Sequence, residues 1–338
     1  MAKAKKLPSG RYRVLVYVGK GSDGKRKYES FTADTRREAE FMAAEYMNSK
    51  TVRRASNITV KEAMDRYIAS KENVLSPSTV REYKHSAERD LKMIHNVKIS
   101  NITQEQVQIA INTEAKSHSP KTVRNIHALL SASLCMFMPN FKLNTTLPQM
   151  KKSDIKVPTD KDIKHLLSHV KGKKIEIPIL LAAVGSLRRS EISALSSDDV
   201  DDQGIHVNKA MVKNEQNKWV IKLPKTNASD RYVPLPKEIL SLIKAKSGNI
   251  VNMTPDKITR DFRKALKECK IAHFKFHALR HYFASVLHSL NVPDEYIMEM
   301  GGWETDSVLK KVYRHTMSDK SKEQQQKIIE HFNSLTRD

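Results

Sequence analysis

Cysteine is nearly absent. Only Cys135 and Cys269 occur in 338 residues, far apart and each within a helical pattern. Two such thiols cannot build a cysteine-based zinc site, and they read as buried thiols of a reducing compartment. Long apolar runs are missing too: no stretch reaches the ~18 apolar residues of a membrane span, so no transmembrane helix is expected. The basic start, Met1-Ala2-Lys3-Ala4-Lys5-Lys6, lacks the apolar segment of a signal peptide. No carboxylate cluster suited to Mg²⁺ stands out. Acidic residues are outnumbered: 38 Asp+Glu face 60 Lys+Arg, a formal charge of +22.

What remains is a foldable chain with a polyanion's counter-charge. At 39% hydrophobic content it can bury proper cores, and its length suits two or three domains. The basic excess suits nucleic acid, because each neutralised phosphate releases counterions. Charge alone does not separate DNA from RNA, or an enzyme from a binder.

Residues 7–32 read as strands. Arg11-Tyr12-Arg13-Val14-Leu15-Val16-Tyr17-Val18 is β-rich, Gly19 to Gly24 is a turn cluster, and Lys27-Tyr28-Glu29-Ser30-Phe31 resumes the alternation. Thr35 caps a following helix, with Glu38 in capping-box register. Residues 1–30 hold nine Lys+Arg against two Asp+Glu, a local +7. A small basic sheet of this kind can lie in a DNA groove. Its candidate contacts are Lys5, Lys6, Arg11, Arg13, Lys25, Arg26 and Lys27. Lys50 to Asn57 reads as a polar linker.

Residues 58–140 read as helices. Ser76-Pro77-Ser78-Thr79-Val80-Arg81 and Ser119-Pro120-Lys121-Thr122-Val123-Arg124 echo each other, each with Pro at a first helical position. They are either two ordinary helix starts or two N-termini offering Arg81, Lys121 and Arg124 to phosphates. A second linker covers about 143–158. The remainder, 159–338, is mostly helical, with short strands at Ile205-His206-Val207, Trp219-Val220-Ile221 and Tyr232-Val233-Pro234-Leu235. The fold class is therefore multidomain α+β, mainly α with small sheets. The expected parts are 1–55, a helical 56–145, and 155–338.

Four places in the last part carry chemistry. In Gly185-Ser186-Leu187-Arg188-Arg189-Ser190-Glu191, Ser186 or Ser190 can cap a helix that sets Arg188 and Glu191 on one face. Leu223-Pro224-Lys225-Thr226 places Lys225 near a hairpin tip. His277-Ala278-Leu279-Arg280 sets imidazole and guanidinium side by side in an apolar helix. Met300-Gly301-Gly302-Trp303 precedes Tyr313 by ten residues. Each taken alone has a bland reading: a surface ion pair, a solvated lysine, a satisfied polar pair, a packed tyrosine.

The order Arg, Lys, His-x-x-Arg, Trp, Tyr resembles the tyrosine recombinase (phage integrase) family. Leu-Arg-x-x-Glu around Arg188, Pro-Lys-Thr around Lys225 and His-x-Leu-Arg-His around Arg280 strengthen the likeness. The resemblance covers about 180 residues and extends, as an expectation, over a SAM-like core-binding domain to residue 58. The N-terminal sheet and helix look like the arm-type DNA-binding domain of phage and conjugative-transposon integrases. Two departures stand out: the family usually has glycine where Ser186 stands, and often histidine where Trp303 stands.

The resemblance implies site-specific cutting and rejoining of double-stranded DNA at core and arm-type sites. Arg188 and Arg280 would clamp the phosphate, Tyr313 would attack it, His277 would act as base and Lys225 as acid. Trp303 would supply an indole N–H and packing, and Glu191 would partner an arginine. Guanidinium groups supply the charge, so no cofactor or metal is expected. A 3′-phosphotyrosyl link, a homotetramer on a Holliday junction, a DNA-bending host factor and an excisionase also follow. So do a C-terminal packing segment at 318–338 and a site of action on DNA in the cytoplasm of a bacterial host. A type IB topoisomerase or a non-catalytic regulator are the rival readings.

Overall fold

The computed structural model describes residues 3–20, 26–55, 57–150, 156–223, 230–305 and 309–310. The chain divides into two compact units, Met1–Lys151 and Lys152–Asp338. It is mainly helical with small antiparallel sheets, as expected. Among the described residues, no helix is long and apolar enough to cross a membrane.

The first unit opens with three antiparallel strands in chain order, β1 (Lys5–Lys6), β2 (Tyr12–Lys20) and β3 (Arg26–Ala33). Alternation drives the sheet. Val14 and Val16 point inward, while Arg13, Leu15 and Tyr17 face out. The inward residues meet Ala39 and Ala43 of helix α1 (Arg36–Ala55). Thr35 caps α1 by accepting from the Glu38 N–H at 3.2 Å. The helix runs on through Lys50–Ala55, where composition had suggested a linker. The stretch is polar but holds no Gly or Pro to stop a helix.

Four helices follow: α2 (Val60–Lys71), α3 (Pro77–Arg89), α4 (Gln104–Ser117) and α5 (Pro120–Phe137). Thr59 with Glu62 and Thr103 with Gln106 form full capping boxes on α2 and α4. Pro77 and Pro120 sit at the starts of α3 and α5 as the sequence predicts. Met64, Ile68, Ile111, Ile126, Leu130 and Leu134 fill the shared core. Cys135 of α5 is exposed, against expectation, because it lies on the outer face of that helix; Cys269 is buried.

Part of the expected linker is docked to this bundle. Phe141, Leu143 and Leu147 pack on its core. Gln104 of α4 donates to the Lys142 carbonyl at 2.7 Å and accepts from the Asn144 N–H at 2.9 Å. One turn on, Gln108 donates to the Thr146 carbonyl at 3.1 Å and accepts from its N–H at 2.8 Å. Two primary amides thus stand in for the neighbouring strand that this extended segment lacks.

The second unit contains α6 (Asp160–Val170), α7 (Glu176–Ala183), α8 (Arg189–Ile192), α9 (Lys237–Lys244), α10 (Pro255–Glu268), α11 (Ala278–Ser289) and α12 (Asp294–Gly301). The apolar α7 lies in the centre, and α11 packs against both α7 and α12. Among the described residues, four strands form two ribbons: β4 (Gly204–Val207) pairs with β7 (Arg231–Pro234), and β5 (Ala210–Lys213) pairs with β6 (Trp219–Lys222). Sequence reasoning missed β5, whose residues are all half-buried and so show no alternation. Lys225, expected near a hairpin tip, follows β6 in the sequence and lies outside the described residues.

Candidate active site

The turn after α7 sets the position of Arg188. Ser186 is fully buried in the left-handed region at φ 55°, and Leu187 is buried beside it. Arg188 is then extended and becomes the N-cap of α8. Its N–H donates to Glu191 Oε2 at 2.8 Å, and its Nη1 donates to Glu191 Oε1 at 2.6 Å. Neither Ser186 nor Ser190 caps the helix. Ser186 lies too early and points inward, its Oγ without a partner. A left-handed non-glycine residue costs roughly 1–2 kcal/mol. Ser186→Gly is expected to raise the melting temperature of the second unit by about 2–4 °C, about 1 kcal/mol net, with cleavage unchanged. Differential scanning calorimetry would check it.

Aromatic packing fixes the approach to His277. Phe262 of α10 meets Phe274 and Phe276 edge-on, at 5.4 and 5.2 Å between ring centroids. This holds the chain before α11, whose N-cap is His277. A cleft of about 440 Å³ opens there, lined by Arg188, Arg189, Arg263, His273, Lys275 and His277 among others.

Arg280, one turn into α11, is 1% exposed. Its Nη2 donates to the Gly301 carbonyl at 2.7 Å, and its guanidinium lies 4.9 Å from the centroid of the buried Trp303 ring. Its Nε and Nη1 are buried without partners. Gly301 and Gly302 make this packing possible. A Cβ on Gly301 would fall inside the indole ring, and Gly302 closes α12 in the left-handed region at φ 63°.

Glu191 is the charge hub. Burial opposes its ionisation, but Arg231, Arg188 and Arg280 outweigh that and hold it down at about 2. Arg231 Nη2 lies 2.9 Å from Glu191 Oε2, and its Nε donates to the Met300 carbonyl at 3.0 Å. Arg188 Nη2 donates to the Gly302 carbonyl at 2.9 Å. Three arginines therefore surround one carboxylate, an arrangement with positive charge to spare.

That field also sets the histidines. Burial first, then Arg280, His281 and Arg188 push His277 down to about 4; Glu191 pulls the other way. Its ring keeps an open edge, so it is a neutral, reachable proton acceptor at neutral pH. His281 is pushed down to about 4 as well, by burial and then Arg280. A histidine whose folded value lies below its ordinary ~6.5 binds a proton more readily when unfolded. Its contribution to stability is complete above about pH 6.5 and is lost as pH falls towards 4. For the buried His281 the slope is at most about 1.4 kcal/mol per pH unit. His281→Phe is expected to flatten this acid limb. Urea melts across that window would show it.

The structure thus brings Arg188, His277, Arg280 and Trp303 together. Tyr313 and Lys225 lie outside the described residues, as do Lys25 and the segment 318–338. On the N-terminal sheet Lys5, Lys6, Arg11, Arg13, Arg26 and Lys27 are all exposed, with Arg11 paired to Asp34 at 2.7 Å. Lys121 is exposed, and Arg81 pairs with Glu82 at 2.8 Å. Arg124 instead turns back to the docked segment, donating to the Pro148 carbonyl at 3.1 Å. Sequence reasoning missed Arg231. A signal existed: in β7 it shares the inward register with buried Val233, where an arginine must find a partner.

Residues 156–320 match the phage integrase family, and residues 59–114 match the N-terminal SAM-like domain of phage integrases. A XerC-like tyrosine recombinase of Caldanaerobacter subterraneus subsp. tengcongensis is 23% identical over 90% of this chain and 92% of its own. The integrase of Salmonella phage P22 is 44% identical over 54 residues, 16% of this chain and 14% of its own. The fold is shared with the Tn1549 transposon integrase in complex with transposon right end DNA (TM-score 0.65, 18% identity, 80% of this chain and 100% of that one). It is also shared with a lambda integrase tetramer bound to a Holliday junction (TM-score 0.57, 15% identity, 92% and 94%). With two matched regions in family order and the arginine-rich centre inside the second of them, the chain belongs to the phage integrase family of tyrosine recombinases, and it is a site-specific DNA recombinase.

Proposed function

We propose that Arg188 and Arg280 clamp a DNA phosphate that Tyr313 attacks. The observation that carries this is the Arg280 guanidinium, buried with two N–H groups unpartnered beside a second arginine. A permanently charged fork in that state calls for an anion with several acceptor oxygens, which a phosphodiester supplies. In the attack, a bond forms between the tyrosine oxygen and phosphorus as the bond to the 5′ oxygen breaks. His277, kept neutral, takes the phenol proton, and Lys225 gives a proton to the leaving oxygen. Trp303 packs under Arg280 and backs the clamp. A 5′-hydroxyl from another strand reverses the step, so the covalent link conserves the bond energy and no ATP is needed.

In this reading residues 1–55 engage arm-type sites through the basic sheet, and 56–145 with 155–338 engage the core site. Four copies exchange strands in pairs, a stoichiometry supported by the likeness to lambda integrase. A DNA-bending host factor and an excisionase would set the direction of integration or excision for a phage or mobile element in a bacterial cytoplasm. The test is a nicked suicide duplex carrying the core site. A denaturation-resistant adduct is expected, with the DNA on Tyr313 by peptide mapping. An adduct on another residue, or none, overturns the assignment.

A further inference from the structure

Arg231 has no part in the chemistry above, yet it belongs to a set that is unusual in its geometry. Three successive carbonyls end α12, and each is held by a different arginine. Arg231 takes Met300 at 3.0 Å, Arg280 takes Gly301 at 2.7 Å and Arg188 takes Gly302 at 2.9 Å. The last carbonyls of any helix lack intrahelical donors and carry partial negative charge, so one basic side chain there is ordinary. Here the three come from three elements: the N-cap of α8, strand β7 and helix α11.

The three are not equivalent. Arg188 is about one-third exposed towards the cleft, and Arg280 keeps two donors unused. Both have something to offer a phosphate. Arg231 is 6% exposed, and its fork is already committed, Nε to Met300 and both Nη atoms to Glu191 at 3.4 and 2.9 Å. Glu191 in turn fixes Arg188 through both of its oxygens. When a phosphate enters, Arg188 and Arg280 must share their donors between it and the end of α12. Arg231 alone keeps its grip.

We propose that Arg231 is a positioning residue for the nucleophile. It anchors the end of α12, and with it the start of the segment leading to Tyr313, while Arg188 and Arg280 bind the phosphate. This rests on the reading of Tyr313 as the nucleophile. The consequence is that the anchor and the clamp share one carboxylate, Glu191, so the phosphate site and the end of α12 are held in one rigid frame.

Arg231→Lys separates the two roles of the side chain. A lysine keeps a positive charge near Glu191 but cannot span Glu191 and the Met300 carbonyl together. In single-turnover cleavage of the suicide duplex, at saturating protein, the variant is expected to form the Tyr313 adduct about a hundredfold more slowly, as a small misplacement of a reacting group can cost. Affinity for the duplex and the final fraction converted are expected to stay at wild-type values. A merely structural role gives the opposite pattern: a smaller final fraction, because less protein folds, with a wild-type rate in what remains. That pattern, or an unchanged rate, overturns the proposal. Where the lysine variant does not fold, Arg231→Gln leaves Glu191 its bonds to Arg188 and is judged by the same rate and amplitude. Wild-type protein runs alongside. If it forms no adduct at Tyr313, the nucleophile assignment falls and this proposal with it; a normal wild type with an unaffected variant sinks the positioning role alone.

Discussion

Arg280→Met is expected to abolish cleavage, by about a thousandfold or more, without lowering the melting temperature of the protein. The two halves of that result have one cause. Burial, Arg188 and Arg231 all disfavour the charge on Arg280, and Glu191 only partly offsets them. Arginine does not shed its proton in proteins, so the folded chain carries this charge incompletely paired. A methionine of similar length removes the penalty, and its flexible chain can still pack on Trp303. What is lost is one bond to the Gly301 carbonyl, about 1–2 kcal/mol, and the stacking on the indole. Inorganic phosphate should raise the melting temperature of the wild type and leave that of the variant unmoved. Thermal melts with and without phosphate, beside the adduct assay, decide the matter. A variant that melts several degrees lower would show that Arg280 is fully compensated in the empty site, contrary to its two open donors.

Tyr313→Phe is expected to bind the core duplex as the wild type does and to form no adduct at any time. In the proposed reading, loss of one oxygen removes the atom that would bond to phosphorus. Three of the described tyrosines, Tyr282, Tyr232 and Tyr67, are poorly suited to replace it. Tyr282 donates to Asp160 at 2.8 Å, and burial with that bond pushes its phenol up. Tyr232 donates to Asp201 at 2.6 Å and is pushed up to about 12. Burial raises Tyr67. A nucleophilic phenol needs the reverse, a positive field that favours its anion, and the field around Arg188, Arg231 and Arg280 is where the second unit supplies it. Electrophoresis under denaturing conditions reads the adduct, and a mobility shift reads the binding. A residual adduct in the variant would name another nucleophile.

Much of this was legible in the sequence because it is local. Capping pairs such as Thr35 with Glu38, or Pro at the starts of α3 and α5, are written within one turn of chain. So was the spacing of His277 and Arg280, and the reading of Glu191 as a partner for arginine. Most of the misses are non-local. Lys50–Ala55 has the composition of a linker, and only the absence of a breaker marks it as helix. Strand β5 lies half-buried along its length and shows no alternation. Arg231 reads as one more basic residue until its register in β7 is known. The cap of α8 was misplaced because Ser186 takes a positive φ with its Oγ buried and unpartnered, and the chain runs on to Arg188 before the helix begins.

The two glutamines of α4 carry a consequence for how the gene can vary. Connections between helices and domains ordinarily tolerate gained or lost residues. Here the stretch from Phe141 to Pro148 is read out twice, by amide pairs at Gln104 and Gln108 and by the inward leucines Leu143 and Leu147. One residue gained or lost between those points would turn the leucines outward and leave an amide without its match, as a slip of register does in a sheet. Length polymorphism among close variants of this recombinase should therefore gather after Pro148 and spare the eight residues from Phe141 to it.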